Sequence, residues 1–121
     1  FHPDDPDARA AIACQVRLQA EAGGDALIGR RLHPLLAGAG FLDVRISPRM
    51  VYVDGNRPDL AEGFTRNTFT AMVEGVRDKA LARGLMDEAA WERGVAALRR
   101  ASRPDGVFCY TFFKGVGKTA E

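Results

Sequence analysis

The sequence predicts a mixed α/β fold with about four helices and two strands. Three observations predict it. Apolar residues recur at helical spacing over most of the chain, two segments have the pattern of strands, and glycine or proline separates most of these segments. The 121 residues are enough for one domain. We therefore expect residues 1–121 to form a single domain, or a fragment of a longer protein, in the order helix, helix, strand, helical hairpin, strand.

The first helix is expected at residues 6–22. Asp5, Pro6 and Asp7 have the layout of a helix start, with an N-cap carboxylate, a proline at the first helical position and an acid in the first turn. Two glycines follow the segment and end it. The apolar stripe of this helix recurs every four residues and consists of Ala8, Ile12 and Val16.

Leucines at helical spacing in residues 27–39 predict a second helix. Pro34 cannot lie deep inside it, because proline has no backbone N–H to donate. The helix is therefore expected to begin near residues 29–32, with Pro34 in its first turn and Gly40 as its C-terminal stop.

Residues 41–53 are expected to form a strand. Apolar residues alternate with more polar ones until Val51 and Val53, where the alternation changes. This pattern predicts a strand that is bent or bulged at Ser47 and Pro48.

A helical hairpin is expected after this strand. Its first helix is long and ends at Gly84, and Asp87 caps a second helix in which Trp91, Val95 and Leu98 recur at helical spacing. We expect these three side chains to pack against the first helix. The apolar side of that helix is formed by Leu60, Phe64, Met72, Val73, Val76 and Ala80.

The last strand, residues 107–113, follows a turn at residues 103–106 and is apolar on both faces. Such a strand is expected inside a sheet, and two strands alone rarely form a stable layer. We therefore expect it to have a further neighbour, either a second copy of the chain or a part of the protein that is absent here.

Composition excludes several classes of function. Seventeen basic and sixteen acidic residues leave a net charge of +1, so neither a basic nucleic-acid groove nor an acidic tail is expected. Cys14 and Cys109, read as small core residues, are too far apart to form a zinc site with the two histidines, and no metal is expected. No stretch approaches the roughly 18 apolar residues of a membrane span, so we expect a cytoplasmic protein.

Four residues are candidates for a substrate pocket, and no catalytic residue can be assigned. Arg30 can hold an anionic group, because guanidinium binds carboxylates well, although a solvated first helical turn is the favoured explanation. Phe64, Phe69 and Met72 can line an apolar pocket, although such a stripe is more often ordinary core.

Residues 35–44, Leu-Leu-Ala-Gly-Ala-Gly-Phe-Leu-Asp-Val, resemble the leucine-rich helix, Ala-Gly-Phe turn and following strand found late in class I S-adenosylmethionine-dependent methyltransferases. Residues 28–32, Ile-Gly-Arg-Arg-Leu, and residues 105–114, the closing strand, extend the resemblance over most of the chain. It is closest to bacterial small-molecule methyltransferases.

The resemblance implies a Rossmann-like sheet in which the last strand lies antiparallel between a fifth and a sixth strand. The sixth would be residues 41–53, and residues 1–5 would lie just after the fifth. The chain would be the C-terminal, substrate-side portion of a methyltransferase acting on a small molecule, inactive alone. S-adenosylmethionine would be the cofactor of the full-length enzyme. The glycine-rich loop and ribose-binding acid of such enzymes match no segment here, so no cofactor is expected for this chain alone.

The alternative is a non-enzymatic helical interaction module that dimerises through an exposed strand. In both interpretations the last strand is expected to pair with a second copy of the chain, giving a homo-oligomer. Neither interpretation includes a nucleic acid or a membrane as partner.

Overall fold

The computed structural model describes residues 1–120, which divide into two compact units. Unit 1 contains residues 1–24 and 52–109, and unit 2 contains residues 25–51 and the chain from Tyr110 onward. Helices and one sheet of two antiparallel strands make up the structure, so the predicted mixed α/β class is confirmed at this level. Within residues 1–120, every helix is too short or too polar to cross a membrane.

Helix α1, Pro6–Glu21, begins and ends where the sequence predicts. The Asp5 carboxylate accepts a hydrogen bond from the backbone N–H of Ala8 at 2.8 Å. This bond satisfies one of the amide groups that the first turn of a helix leaves without a partner.

The predicted apolar stripe of α1 is wrong in part. Ala8 is buried as expected, but Ile12 is only half-buried and Val16 is exposed. A repeat of four residues drifts by about 40° per step around a helix with 3.6 residues per turn, so it leaves the buried side after one turn. The face that is buried instead combines steps of three and four residues and consists of Ala8, Ala11, Cys14, Gln15 and Leu18.

In unit 2, a 3-10 turn at Ile28–Arg31 leads into helix α2, Leu32–Gly38. Pro34 lies in the first turn of α2, where its missing N–H costs nothing, as predicted. Gly40 follows the helix with φ +91°, a backbone conformation that favours glycine.

Strand β1, Leu42–Val53, changes its inward-facing side along its length. Val44 and Ile46 are partly buried in the first half, whereas Val51 and Val53 are the less exposed residues in the second. Side chains alternate along a strand, so the less exposed side of β1 changes from even to odd positions between residues 46 and 51. As a consequence the side chain of Met50 is 70% exposed. Residues 42–53 form one continuous strand, so the bend expected at Ser47 and Pro48 stays a prediction.

The predicted long helix after β1 is instead four segments: α3 at Pro58–Leu60, a π-helix at Ala61–Thr70, α4 at Ala71–Glu74 and α5 at Arg77–Ala82. The π-helix contains three threonines whose hydroxyls can compete for backbone groups. The Thr70 hydroxyl donates to the carbonyl of Thr65 at 2.8 Å, and the Thr68 hydroxyl donates to the carbonyl of Gly63 at 2.7 Å. Both bonds reach back five residues, which is the spacing of a π-turn.

Thr65 is expected to be a site where loss of a polar atom stabilises the chain. Its hydroxyl is buried and has no hydrogen-bond partner within residues 1–120. Thr65→Val keeps the shape of the side chain and removes the unsatisfied group, so we expect the free energy of unfolding to rise by about 1 kcal/mol. Thr70→Val is the matched control, because it removes a hydroxyl that is bonded, and it should lower stability by about 1 kcal/mol. Urea denaturation of both variants is the measurement, and equal effects would contradict the assignment.

Helix α6, Glu88–Arg100, is capped by Asp87, which accepts from the N–H of Ala90 at 2.8 Å. Trp91, Val95 and Leu98 are buried, as predicted. The core of unit 1 is formed by these three residues together with Ala8, Ala11, Cys14, Leu18, Val73 and Ala80.

The predicted partner of α6 is wrong in part, because the largest contact of α6 is with α1. Val73 and Ala80 do lie in the core, and Val76 packs against its edge. Leu60, Phe64 and Met72, also assigned to the buried side, stay outside this cluster, and Met72 is 48% exposed. The π-helix turns the chain through more residues per turn than an α-helix, so a stripe calculated for an α-helix does not continue through it.

Strand β2, Phe108–Lys118, pairs antiparallel with β1 and is longer than expected. Its last residue, Lys118, places Nζ 2.6 Å from a carboxylate oxygen of Asp43. At its other end, Val107 exchanges two backbone hydrogen bonds with His2, at 2.7 and 3.1 Å, in an antiparallel bridge.

Candidate functional site

The predicted substrate-pocket residues fall in both units, with Arg30 in unit 2 and Phe64, Phe69 and Met72 in unit 1. Phe64 and Phe69 both contact the ring of Phe108, with ring centroids 5.9 and 4.6 Å apart respectively. Phe108 is buried and Phe69 also packs against the core. The structure thus brings two of the candidates together in an aromatic cluster, while Met72 lies on an exposed side of α4.

Arg30 lines a cavity of about 160 Å³ in unit 2, formed by residues 26–30 and 110–113. The neighbouring Arg31 is 3.5 Å from Asp25, whereas the Arg30 side chain has no ion pair among residues 1–120. The Tyr110 and Phe112 rings, 6.5 Å apart and nearly parallel, form part of the wall. This cavity offers one guanidinium group beside aromatic surface.

A second cavity, of about 250 Å³, lies in unit 1 and was not expected from the sequence. Three segments form it: the turn that ends β1, the start of the π-helix and the turn that precedes β2. We call it the turn cavity. It is lined by Asp54, Gly55, Pro58, Ala61, Glu62, Arg66, Ser102, Arg103 and Pro104.

The turn that ends β1 is held by its own hydrogen bonds. The Asp54 carboxylate accepts from the N–H of Asn56 at 2.9 Å, and the Asp54 carbonyl accepts from the N–H of Arg57 at 3.0 Å. An Asx turn of this kind orders a loop without help from the rest of the protein. Its Gly55 backbone lies directly against the Pro104 carbonyl, so closely that a Cβ atom would overlap with it.

The turn that precedes β2 is also ordered. The N–H of Gly106 donates to the carbonyl of Arg103 at 2.8 Å, as expected for the turn predicted at residues 103–106. Arg100 donates two hydrogen bonds to the Asp105 carboxylate, at 2.6 and 2.5 Å. This pairing lowers the pKa of the Asp105 carboxyl. Two walls of the turn cavity are therefore formed before any ligand arrives.

Unpaired charges converge on the turn cavity. Most arginines of the chain contact a carboxylate, for example Arg77 with Glu88 at 2.6 Å. Arg66, Arg103 and Glu62 differ, since none of these three side chains forms an ion pair within the described residues, although all of them line the same space. Asp54 also lines the cavity and forms no ion pair within the described residues, so the cavity presents two cationic and two anionic groups to a ligand.

The sequence contains only a weak signal for this cavity. The Asp-Gly-Asn and Arg-Pro-Asp-Gly segments are recognisable as turns, but nothing in their spacing shows that they meet. The residue pattern around Arg66 predicts only an ordinary solvent-exposed helix surface. The only usable indication is that both turns border strands, where ligand-binding loops are common.

The two cysteines, both predicted to be core residues, have different environments. Cys14 is buried, and burial raises the pKa of its thiol. Cys109 is exposed on β2, so the prediction is wrong for that residue. Residues 1–120 contain no cluster of three or more histidine, cysteine or acidic side chains suited to a metal ion.

The chain matches no model of a known protein family, and a search of curated proteins finds no significant relative.

Proposed function

We propose that this chain is the C-terminal, substrate-side portion of an S-adenosylmethionine-dependent methyltransferase that acts on a small molecule. The backbone pairing of β2 carries the proposal. β2 pairs antiparallel with β1. Val107, the residue just before β2, forms an antiparallel bridge with His2. The resemblance implies that the last strand has antiparallel neighbours in the sixth strand and in the fifth, just before the first residues of this chain.

The position of the turn cavity also supports the proposal. In open α/β sheets, ligands bind beyond the carboxyl ends of the parallel strands. β1 would be the sixth of those strands, and the turn at its carboxyl end, Asp54 and Gly55, lines the cavity. A substrate there would lie on the side of the sheet where such enzymes bind their ligands.

In the full-length enzyme the methyl group would pass in line from the sulfonium of S-adenosylmethionine to an oxygen, nitrogen or carbon nucleophile. The main requirement of such a transfer is that the two reactants are held at near-attack distance. The contribution of this chain would be to bind and orient the acceptor. The cofactor itself would be held by the portion that carries the glycine-rich loop and the ribose-binding acid.

The isolated chain is expected not to bind S-adenosylmethionine. No residue here matches the groups that hold the methionine and ribose ends of the cofactor, so isothermal titration calorimetry should give no saturable heat. A dissociation constant near micromolar, equivalent to about 8 kcal/mol of binding, would contradict the proposal. The coding sequence upstream of the Phe1 codon is expected to encode a glycine-rich strand–loop–helix. A start codon adjoining Phe1 would contradict this and favour the alternative interpretation.

The alternative is the non-enzymatic module that dimerises through an exposed strand, and the surface of β2 favours it. Tyr110 and Phe112 are each 44% exposed, and Phe113 and Val116 are also exposed. Strand edges and apolar strand faces of this kind recruit a second chain, and a net charge of +1 offers little repulsion.

Self-association through β2 is expected in both interpretations. Light scattering at micromolar concentration should show a dimer or a larger species, and Phe112→Lys should shift it toward the monomer by adding a charge to the strand surface. Met50→Lys, a charge on an exposed position of β1, is the matched control and should leave the dimer unchanged. A monodisperse wild-type monomer with slow amide exchange throughout β2 would show that the strand is covered within one chain.

A further inference from the structure

We propose that the turn cavity binds a small amphoteric molecule of the amino-acid type. The ligand's carboxylate would contact Arg66 and Arg103, and its ammonium group would contact Glu62. This inference concerns the same cavity in which the proposed function places a substrate, but binding there does not require methyl transfer, because every residue involved lies in unit 1 of this chain.

The two arginines define the anionic end of the ligand. Arg66 comes from the π-helix and Arg103 from the turn before β2, and neither forms an ion pair among residues 1–120, although the charge of Arg103 helps to lower the pKa of the Asp105 carboxyl. Guanidinium binds carboxylate with two parallel hydrogen bonds, which makes a carboxylate a well-matched occupant.

The acidic groups argue against a simple anion. Glu62 lines the same cavity without an ion-pair partner among the described residues, and Asp54, whose Oδ1 accepts from Asn56, is also part of the wall. These carboxylates disfavour a ligand that carries only negative charge and favour one that also carries an ammonium group. The charges of the wall therefore complement a zwitterion better than a phosphate or a dicarboxylate.

The volume and the apolar lining of the cavity limit the uncharged part of the ligand. The volume of about 250 Å³ is below the usual range of sites for drug-sized molecules. Pro58, Ala61 and Pro104 supply apolar surface between the charged groups. An amino acid with a short aliphatic side chain satisfies both conditions.

The cavity walls are also ordered in advance. The Asx turn at Asp54 and the Arg100–Asp105 pairing hold the two turns, and the close contact of Gly55 with Pro104 holds them against each other. A ligand therefore does not have to order these loops when it binds, which favours affinity in a small site.

The test is isothermal titration calorimetry of the intact chain with L-leucine and two derivatives. N-acetyl-L-leucine lacks the ammonium group and L-leucine methyl ester lacks the carboxylate. We expect L-leucine to bind and each derivative to bind at least about ten-fold more weakly, as for the loss of a charge-assisted hydrogen bond. Equal binding of the N-acetyl derivative would show an anion site and overturn the assignment, and no binding of L-leucine would also overturn it.

Variants of the two cavity arginines test whether L-leucine binds in the turn cavity. Arg66→Gln and Arg103→Gln should each weaken L-leucine binding about ten-fold or more, whereas Arg49→Gln, on β1 outside the cavity, should leave it unchanged. Both cavity arginines are exposed, so thermal melts should show that the variants remain folded. Unchanged binding in both cavity variants would place the ligand elsewhere and overturn the proposal. Failure of the methyltransferase proposal would appear separately, in the S-adenosylmethionine titration.

Discussion

Replacement of Trp91 by alanine is expected to lower the free energy of unfolding by about 3–5 kcal/mol. The indole is 1% exposed and lies in the core of unit 1, where helix α6 meets α1 and the segments that contain Val73 and Ala80. Removing it leaves a cavity that rigid helices cannot close fully, so the loss includes the missing contacts as well as the transfer of apolar surface. Since a domain is commonly stable by only about 5–15 kcal/mol, the variant should lose a large part of its stability.

Chemical denaturation followed by circular dichroism is the measurement, because Trp91 is the only tryptophan and fluorescence would be lost with it. Met72→Ala is the control. It shortens a large apolar side chain that is 48% exposed and should change stability by only about 0.5 kcal/mol. An unchanged denaturation midpoint for Trp91→Ala would mean that α6 does not bury this face.

Gly94→Ala is expected to destabilise unit 1 by about 1–3 kcal/mol. α6 crosses α1 at this glycine, and a Cβ atom placed on it would lie 2.5 Å from the carbonyl oxygen of Asp7 and 3.1 Å from the backbone nitrogen of Ala8. Both neighbours are backbone atoms, so the helices must move apart to admit a methyl group. Alanine ordinarily stabilises a helix relative to glycine by about 1 kcal/mol, and here the overlap outweighs that gain.

Gly63→Ala is the matched control for this effect, because a Cβ atom at Gly63 has no neighbour within 4 Å. It should leave stability unchanged or raise it by about 0.5–1 kcal/mol. The ion pair between Arg93 and Asp7, 2.8 Å apart at the same crossing, is exposed to solvent, so it contributes little and does not alter the comparison. Stabilisation by Gly94→Ala would show that α1 and α6 lie further apart than described.

The predicted fold was most accurate where the deciding interactions are local. Asp5 and Asp87 cap their helices through hydrogen bonds to amides three residues away, and Gly84 with φ +65° follows α5 as a C-terminal stop. Such bonds join residues that are close in sequence, so residue type and spacing suffice to predict them. The three-and-four spacing of buried residues in α6 is predictable for the same reason.

The candidate site could be anticipated only in fragments. Arg30 does line a cavity, and the residues around Gly55 and Pro104 were recognisable as turns. That these turns touch, and that Arg66 faces the space beside them, depends on the path of the chain through the intervening helices. No spacing in the sequence encodes that path.

The sequence by itself determined the mixed class, the helix caps, the position of β1, the start of β2 and the burial of Trp91. Only the tertiary structure decided that α6 packs chiefly on α1, that a π-helix interrupts the long helix, and that two distant turns enclose a charged cavity. The physical reason is how far apart in sequence the interacting residues lie. Caps and periodicity are settled within one or two turns of chain, whereas helix pairing depends on the approach of backbones at Gly94 and Asp7, far apart in sequence.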